Sequence, residues 1–476
     1  MTLDFSAAEA AHFDVVKRIC SQVQAEGGLG LLVGGAVRDA CLDREVEDFD
    51  IEVFGLVPEA LRRLLDRDWK VDAVGASFAV FKLQHLPIDV SVPRRERKTG
   101  SRHGDFAVEA DSEMSLPEAA RRRDFTVNSM LYDPLSDALH DPFNGEQDLR
   151  DRVLRHTSER FVEDPLRVLR GMQMCARFCL EAAPETLEIC RAMALEGLAR
   201  DRLFEEWRKL LLLGEEISRG LAFLRDAHWM QYFPELEELI GCPQDPIWHP
   251  EGDVWVHTLH VMNAFAADRI GKGQEWEDLV VGFACLCHDM GKPATTRIER
   301  DRVRSRGHEA AGEAPTRRFL AALTRQSDLV EQVVPLVREH LKPRQLYEAQ
   351  AGDSAIRRLA DRVGRIDRLV RVAHADAHGR PPLPADDDPS SAWLLARAEE
   401  LALAATRPRA IVMGRHLIAR GMSPGPAFGP LLERCFEAQL DGSFCTLEEG
   451  LAFLEVILSQ GGPCAALRSS DVSLRH

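Results

Sequence analysis

The apolar residues of this chain change their period once, near residue 155, and that change constrains the fold more than any other feature. Before it, short runs read as strands. Leu29-Gly30-Leu31-Leu32-Val33 is cut short by Gly34-Gly35, as when a strand enters a glycine turn. Residues 48–53 alternate, with Phe49, Ile51 and Val53 on one face and Asp48, Asp50 and Glu52 on the other, the pattern of a half-exposed strand. Phe78–Leu83 and Ile88–Val92 give further strand signals, and an amphipathic segment over residues 6–26 precedes them all, ending at Gly27-Gly28. From about residue 158 the patterns are helical to the end. The expectation is a small α/β head with a mixed sheet, residues 1–155, followed by an all-helical body. Proline-rich acidic breaks at 243–250 and 381–389 divide that body into 156–242, 243–385 and 386–476. Three or four units also suit 476 residues at roughly 100–200 residues per domain.

Charge limits the partners. A net charge of −17 argues against broad non-specific nucleic-acid binding, which depends on neutralising phosphates. It leaves room for a local basic groove, and arginine is concentrated at Arg94, Arg95 and Arg97, at Arg121 to Arg123, and at Arg150, Arg152 and Arg155. No run reaches the roughly 18 apolar residues that span a bilayer, and the N-terminus lacks a signal-peptide pattern, so a cytoplasmic location and no membrane partner are expected. The eleven cysteines are scattered and include no C-x-x-C pair; Cys285 and Cys287 read as small core residues, and no zinc cluster is expected.

Two constellations carry chemistry. In the first, Gly34-Gly35-Ala36-Val37-Arg38-Asp39 is followed by Asp48-Phe49-Asp50. Glycines let backbone N–H groups approach a triphosphate, and carboxylates two apart on a strand share a face. Such a pair suits Mg²⁺, which takes oxygen ligands and bridges substrate phosphates, and Asp89 offers a third carboxylate. Taken alone, a Gly-Gly is usually a turn and a D-x-D a solvated strand edge, so residue chemistry leaves both readings open.

The ordered motifs resemble the class II tRNA nucleotidyltransferases and bacterial poly(A) polymerases of the polymerase β superfamily. G-G-x-V-R-D with D-x-D resembles their first motif. Arg122-Arg123-Asp124-Phe125-Thr126-Val127-Asn128 resembles the segment contacting ribose and triphosphate. Asp141-Pro142, Gly145, Asp148-Leu149 and Arg155 resemble the hinge between head and neck. Glu163-Asp164-Pro165-Leu166-Arg167, with Arg170, resembles the nucleobase-selecting motif, and Arg202-Leu203-Phe204-Glu205-Glu206 with Lys209-Leu210 the helix supporting it. The resemblance implies catalytic Asp48, Asp50 and Asp89 with Mg²⁺, and nucleotide contacts from Gly34, Gly35, Arg38, Arg122, Arg123, Asp124, Asn128, Glu163, Asp164, Arg167 and Arg170. It implies addition of the 3′ CCA of tRNA from CTP and ATP; the alternative is a poly(A) polymerase or a partial CC- or A-adding enzyme. Base choice has a physical basis: cytosine and adenine present an amino donor beside a ring acceptor, while uracil and guanine reverse that order. Asp164 and Arg167, three apart, can match the first pattern, with Glu163 at i+4 placed to orient the guanidinium. Glu96-Arg97-Lys98-Thr99-Gly100 resembles the flexible element that helps CCA-adding enzymes switch from CTP to ATP, and Ala76 stands at a family position that is often basic.

The second constellation is a histidine series: His257, then His288-Asp289 before Met290-Gly291-Lys292, then His308-Glu309, His340 and Asp376. A single histidine on an apolar helix is usually a core residue. The H…HD…D order resembles the HD phosphohydrolases, and Trp248-His249-Pro250-Glu251 with Cys287-His288-Asp289-Met290-Gly291-Lys292 resembles the HD domain fused to proteobacterial CCA-adding enzymes. That resemblance implies His257, His288, Asp289 and Asp376 as ligands of a divalent transition metal such as Ni²⁺ or Mn²⁺, and 2′,3′-cyclic phosphodiesterase, 2′-nucleotidase and phosphatase activity. Residues beyond 386 suggest only a tRNA-holding or homodimerising role. Two rivals remain: a head that merely senses nucleotides beside a working HD site, and an inert RNA-binding scaffold.

Overall fold

A computed structural model describes residues 3, 5, 10–74, 80–98, 106–300, 302–383 and 388–460, arranged as two compact units, Met1–Pro234 and Glu235–His476. The position held by Ala76, the start of the strand expected from Phe78, and Thr99-Gly100 lie outside the described residues.

In the first unit an amphipathic helix, α1 (Ala10–Ala25), precedes β1 (Leu29–Val33), α2 (Gly35–Cys41), β2 (Phe49–Phe54), α3 (Pro58–Leu65), β3 (Val71–Val74), β4 (Val80–Leu83) and β5 (Ile88–Ser91). An antiparallel ribbon, β6 (Arg94–Lys98) with β7 (Phe106–Ala110), leads to α4 (Leu116–Arg121), and β8 (Leu131–Asp133) and β9 (Ala138–His140) return to the sheet. Seven strands order as β3-β4-β5-β2-β1-β8-β9, with β2 and β5 parallel and the other pairs antiparallel, so the sheet is mixed. The polar segment from Glu96 therefore begins as ladder-paired backbone. The unsignalled strands β3, β8 and β9 have only three or four residues each, too few to show a period.

The alternation along β2 sets the two faces. Phe49 lies on the α1 side, its ring 6.2 Å from that of Phe13. The opposite face, with Leu31 and Val33 of β1, packs on Met114, Ala119 and Ala120 around α4. That face is less open than the alternation suggests. Glu52 is only 7% exposed because Arg123, just after α4, covers it and donates to its carboxylate at 3.4 Å.

Beyond α5 (Gly145–Arg150) the first unit is helical: α6 (Leu166–Phe178) is followed in the chain by α7 (Pro184–Arg191) and packs on α8 (Arg200–Leu213) and α9 (Ile217–Asp226). Two small additions interrupt the helices of the chain. Val153–Leu154 pairs with Glu181–Ala182, and in the second unit Arg297–Glu299 pairs with Arg302–Arg304. Residues resembling the hinge lock α5: Asp141 accepts from the Gly145 and Glu146 N–H groups, and Asp148 from Thr126 Oγ1 at 2.6 Å and Arg155 Nε at 3.2 Å.

The second unit is built on the helices Val254–Ala267, Glu275–Cys287, Ser327–Glu339 and Ile366–His378, packed through Phe265, Phe283, Leu336 and Val372. Arg368 grips Glu277 with two N–H groups at 2.6 and 2.9 Å, and Arg371 donates to buried Asp278 at 2.6 Å, tying two of these helices together. After the proline-rich run the helix Pro389–Glu400 packs on Ile366–His378, and a separate cluster from Val412 to Ile457 follows. Cys285 and Cys287 are buried core residues, and the ten described cysteines are all free. No described helix is long and apolar enough to cross a membrane.

Two candidate active sites

The first site lies on the α4 face of the sheet. Register places Asp50 of β2 opposite Val33 of β1 and beside Asp89 of β5, and Asp48 stands two residues earlier, exposed like Asp50. Protein crowding raises the Asp50 carboxyl above its ordinary range; Asp89 and Asp48 add to this and Arg123 opposes it. Lys82 on β4 holds Asp89 at 2.7 Å. At the end of β1 the chain turns through Gly34 at φ +71, ψ −128, backbone that a side chain rarely adopts. A Cβ there would also meet Arg123 Nη1 at 3.0 Å.

A cleft of about 400 Å³ gathers Gly34, Gly35, Arg38, Asp50, Arg122, Arg123, Asp124, Asn128, Asp164, Arg167 and Arg170. An adjoining one of about 320 Å³ shares Asp50, Arg122 and Arg123 and adds Asp89. The walls are held by a connected polar network. Asp124 accepts from Arg170 Nε at 2.6 Å, Phe125 N–H at 2.8 Å and Asn128 Nδ2 at 3.1 Å. Asn128 in turn accepts from Arg38 Nη1 at 2.7 Å, and Arg38 lies 4.2 Å from the centre of the Phe178 ring. Burial works to raise the Asp124 carboxyl, yet Arg170, Asn128 and the Phe125 N–H together hold it below its usual value.

Asp164 and Arg167 open α6 on the rim of the cleft. Asp164 Oδ1 accepts from Leu166 N–H at 3.0 Å, so it also caps the helix. Arg167 donates to the carbonyls of Arg160 at 2.7 Å and Arg122 at 2.8 Å. That arrangement replaces the orientation by Glu163 expected from helical spacing. Residues 159–163 form a 3₁₀ turn, α6 begins only at Leu166, and Glu163 is exposed outside both clefts. Asp48 lines neither cleft. Arg202 of α8, visible in the sequence only as part of a supporting helix, donates to Asp164 Oδ2 at 2.7 Å and joins the lining.

The second site sits at converging helix ends. His257 lies within Val254–Ala267, His288 and Asp289 close Glu275–Cys287, His340 follows Ser327–Glu339, and Asp376 lies in Ile366–His378. His308 opens the short helix His308–Ala311, which approaches so closely that a Cβ on Gly291 would lie 2.0 Å from the His308 carbonyl oxygen. Each histidine directs Nδ1 to an acceptor: His288 to Cys285 O, His308 to Ser305 O and His340 to Val337 O, all at 2.7 Å, and His257 to Glu251 Oε1 at 2.8 Å. For His288, His308 and His340, Nδ1 then carries the proton and Nε2 offers a lone pair, whereas against the lowering effect of burial Asp376 and Glu251 raise His257 to about 9. The Nε2 atoms converge on Asp289: His288 at 3.2 Å, His308 at 3.3 Å and His257 at 3.8 Å, with His257 also 3.1 Å from Asp376. Burial, reinforced by His288 and His308, lowers His340 to about 3, so it is neutral.

This donor set fits a divalent transition ion. Asp289 is 2% exposed, with Lys292 Nζ 2.7 Å and His288 Nε2 3.2 Å from its Oδ2 and His308 Nε2 3.3 Å from its Oδ1. The ligand atoms of His257, His288 and Asp289 lie within 4.8 Å of one another, as do those of Asp289, His308 and His340. The four ligands expected from the sequence come together, and His308 and His340 join them. Both histidines were visible in the series, but their convergence depends on which helix ends meet, which spacing does not reveal. The carboxylates of the first site fit a hard oxygen-seeking cation in the same way.

Comparisons with known proteins find a different family at each site. Residues 31–155 match the poly A polymerase head domain family and residues 254–398 the HD domain family. The multifunctional CCA protein of Laribacter hongkongensis is 37% identical over 360 residues, covering 74% of this chain and 85% of that protein. That of Stenotrophomonas maltophilia is 36% identical over 363 residues, covering 73% and 86%. Among solved structures, the Bacillus stearothermophilus CCA-adding enzyme in complex with CTP aligns with a TM-score of 0.65 at 22% identity, over 94% of this chain and 98% of that one.

Proposed function

The chain belongs to the multifunctional CCA protein family, and on that premise we propose that it builds and repairs the 3′ CCA of tRNA without a nucleic-acid template and hydrolyses phosphoesters at its HD site. One observation carries the first activity: the cleft that holds Asp50 beside the Gly34 turn is also lined by the Asp164–Arg167 pair. Asp48 and Asp50, with Asp89 beside them, would hold divalent cations, here Mg²⁺, which supply activation of the tRNA 3′-hydroxyl and stabilisation of the leaving pyrophosphate. The hydroxyl attacks the α-phosphorus of CTP or ATP. Arg38, Arg122 and Arg123 neutralise the triphosphate, and the Gly34-Gly35 backbone lets it approach.

Base choice belongs to the rim. Asp164, fixed by Leu166 N–H and Arg202, accepts from the exocyclic amino group of cytosine or adenine. Arg167, anchored on two carbonyls, donates to the adjacent ring nitrogen. Uracil and guanine would set carbonyl against carboxylate and N–H against guanidinium.

At the HD site His257, His288, Asp289, Asp376, His308 and His340 would hold a divalent ion such as Ni²⁺ or Mn²⁺, which supplies activated water for phosphoester hydrolysis. The sharper division into head 1–155, neck 156–242, HD domain 243–385 and tail 386–476, a cytoplasmic location and a homodimer belong to the same proposal. Its test is incubation with transcripts ending at the discriminator base, after the two cytidines, and with complete CCA, each with single triphosphates. CTP extends the first, ATP alone extends the second, and neither extends the third. ATP polymerised onto all three would instead mark a poly(A) polymerase.

A further inference from the structure

Across the sheet of the first unit, register sets a row of residues on the α4 face. Lys82 of β4 stands opposite Asp89 of β5, Asp89 beside Asp50 of β2, and Asp50 opposite Val33 of β1, the residue before the Gly34 turn. Residues paired in register share a face, so the ladder itself imposes the meeting of Lys82 with Asp89. Lys82 Nζ lies 2.7 Å from Asp89 Oδ2, with the lysine side chain 54% and the aspartate 32% exposed. Phe81 and Leu83, on either side of Lys82 in the strand, are buried on the opposite face and fix its direction.

The arginines of this site hold protein partners that no metal ion would claim. Arg123 donates to Glu52, Arg38 to Asn128, Arg170 to Asp124, and Arg167 to the carbonyls of Arg160 and Arg122. Lys82 differs, because its carboxylate is one that the divalent cation needs. As a compact charge on a flexible stem it can leave Asp89 without disturbing the strand. It then requires another anion.

Position says which one. The Gly34 turn, Arg38 and the Asp164–Arg167 rim gather with Asp50 in the cleft that takes the triphosphate. Attacking and leaving oxygens lie in line on opposite sides of the transferred phosphorus. With pyrophosphate leaving on the β1 side of Asp50, the RNA 3′ end enters from the β5 side, through the adjoining cleft lined by Asp89, Ser91 and Arg94. Lys82 lies one strand further out, beyond Asp89.

We propose that Lys82 positions the RNA strand: it is the resident counter-cation of Asp89, yields that carboxylate to the divalent cation, and takes the phosphodiester next to the attacking 3′-hydroxyl. The inference rests on the nucleotidyl-transfer reading above and deepens it by assigning a residue to the strand that is extended.

The test uses the full chain as wild type, Lys82→Gln and Lys82→Arg, with a tRNA transcript ending at the discriminator base. Mn²⁺ binding without RNA is followed by electron paramagnetic resonance, transcript binding by filter retention over a range of salt, and KM is measured for transcript and for CTP. Lys82→Gln should bind Mn²⁺ roughly fivefold more tightly, because Asp89 loses its competitor, and its KM for transcript should rise roughly fivefold, each the scale of a favourable exposed ion pair. The slope of log affinity against log salt should flatten by about 0.7, the share of one single-stranded phosphate. The KM for CTP should hold, and Lys82→Arg should restore the slope and most of the transcript KM. Both binding changes in a chain that adds no nucleotide would support the role of Lys82 and sink the nucleotidyl-transfer reading. An unchanged salt slope, an unchanged Mn²⁺ affinity, or a KM for CTP that rises in step with that for transcript would overturn the role.

Discussion

Replacing Asp124 with asparagine should damage the first unit more than any other single-atom change at its cleft. Its carboxylate is 7% exposed and receives three donors, including Arg170 Nε at 2.6 Å. Asparagine retains the volume but can turn an N–H₂ toward Arg170, leaving a guanidinium without its counter-charge. Breaking a buried pair in this way costs about 3–5 kcal/mol. The Arg170 side chain is 36% exposed, so water recovers part of the loss and about 3 kcal/mol is expected. At ~2–4 °C per kcal/mol for a unit of this size, the calorimetric transition should fall by about 6–12 °C. The pH dependence has a definite sign. Asp124 is held below its unfolded value of about 3.9, so its stabilisation is complete above that pH and is lost as pH falls through the folded value. The gap between wild type and variant should therefore be constant near neutrality and narrow below about pH 4. Arg170→Gln in the Asp124→Asn background should cost less than it does alone, by about 0.5–3 kcal/mol of coupling. A melting shift of a degree or less, or strictly additive losses, would refute the reasoning.

Other consequences are separable. Gly34→Ala should cost about 1–3 kcal/mol of backbone strain and slow nucleotide addition by displacing Arg123, whereas Gly35→Ala, whose Cβ meets Arg38 at an ordinary 3.6 Å, should be milder; melting curves and steady-state kinetics compare them. Asp50→Ala should abolish nucleotide addition while filter binding shows unchanged tRNA affinity, and retained addition would remove Asp50 from the chemistry. Asp289→Asn should lower the bound transition metal measured by elemental analysis and end phosphohydrolysis, with CCA addition unaffected; loss of addition in the folded variant would contradict two independent sites.

Much of this was legible in the sequence, and the misses share a cause. Strand alternation placed Asp48, Asp50 and Glu52 on one face, and the resemblance of the histidine series to HD phosphohydrolases anticipated His257, His288, Asp289 and Asp376 together. Period-two reasoning took that strand face as open, but the cover over Glu52 comes from Arg123, 71 residues later. Helical spacing assigned Glu163 to Arg167, but a 3₁₀ turn and Pro165 intervene, and two carbonyls take the role. Arg202, His308 and His340 reach their sites through helix packing, and no local pattern encodes which helix ends meet.

Asp164 and Arg167 together act, on the proposed function, as a template written in protein. The most direct measurement is sequencing of the 3′ ends made by the wild-type chain on a transcript lacking CCA, with all four triphosphates present at equal concentration. Ends of C, CC and CCA, accumulating at CCA, are expected, with uridine and guanosine excluded. Adenosine tracts on the bare transcript, or uridine and guanosine entering as readily as cytidine, would contradict it.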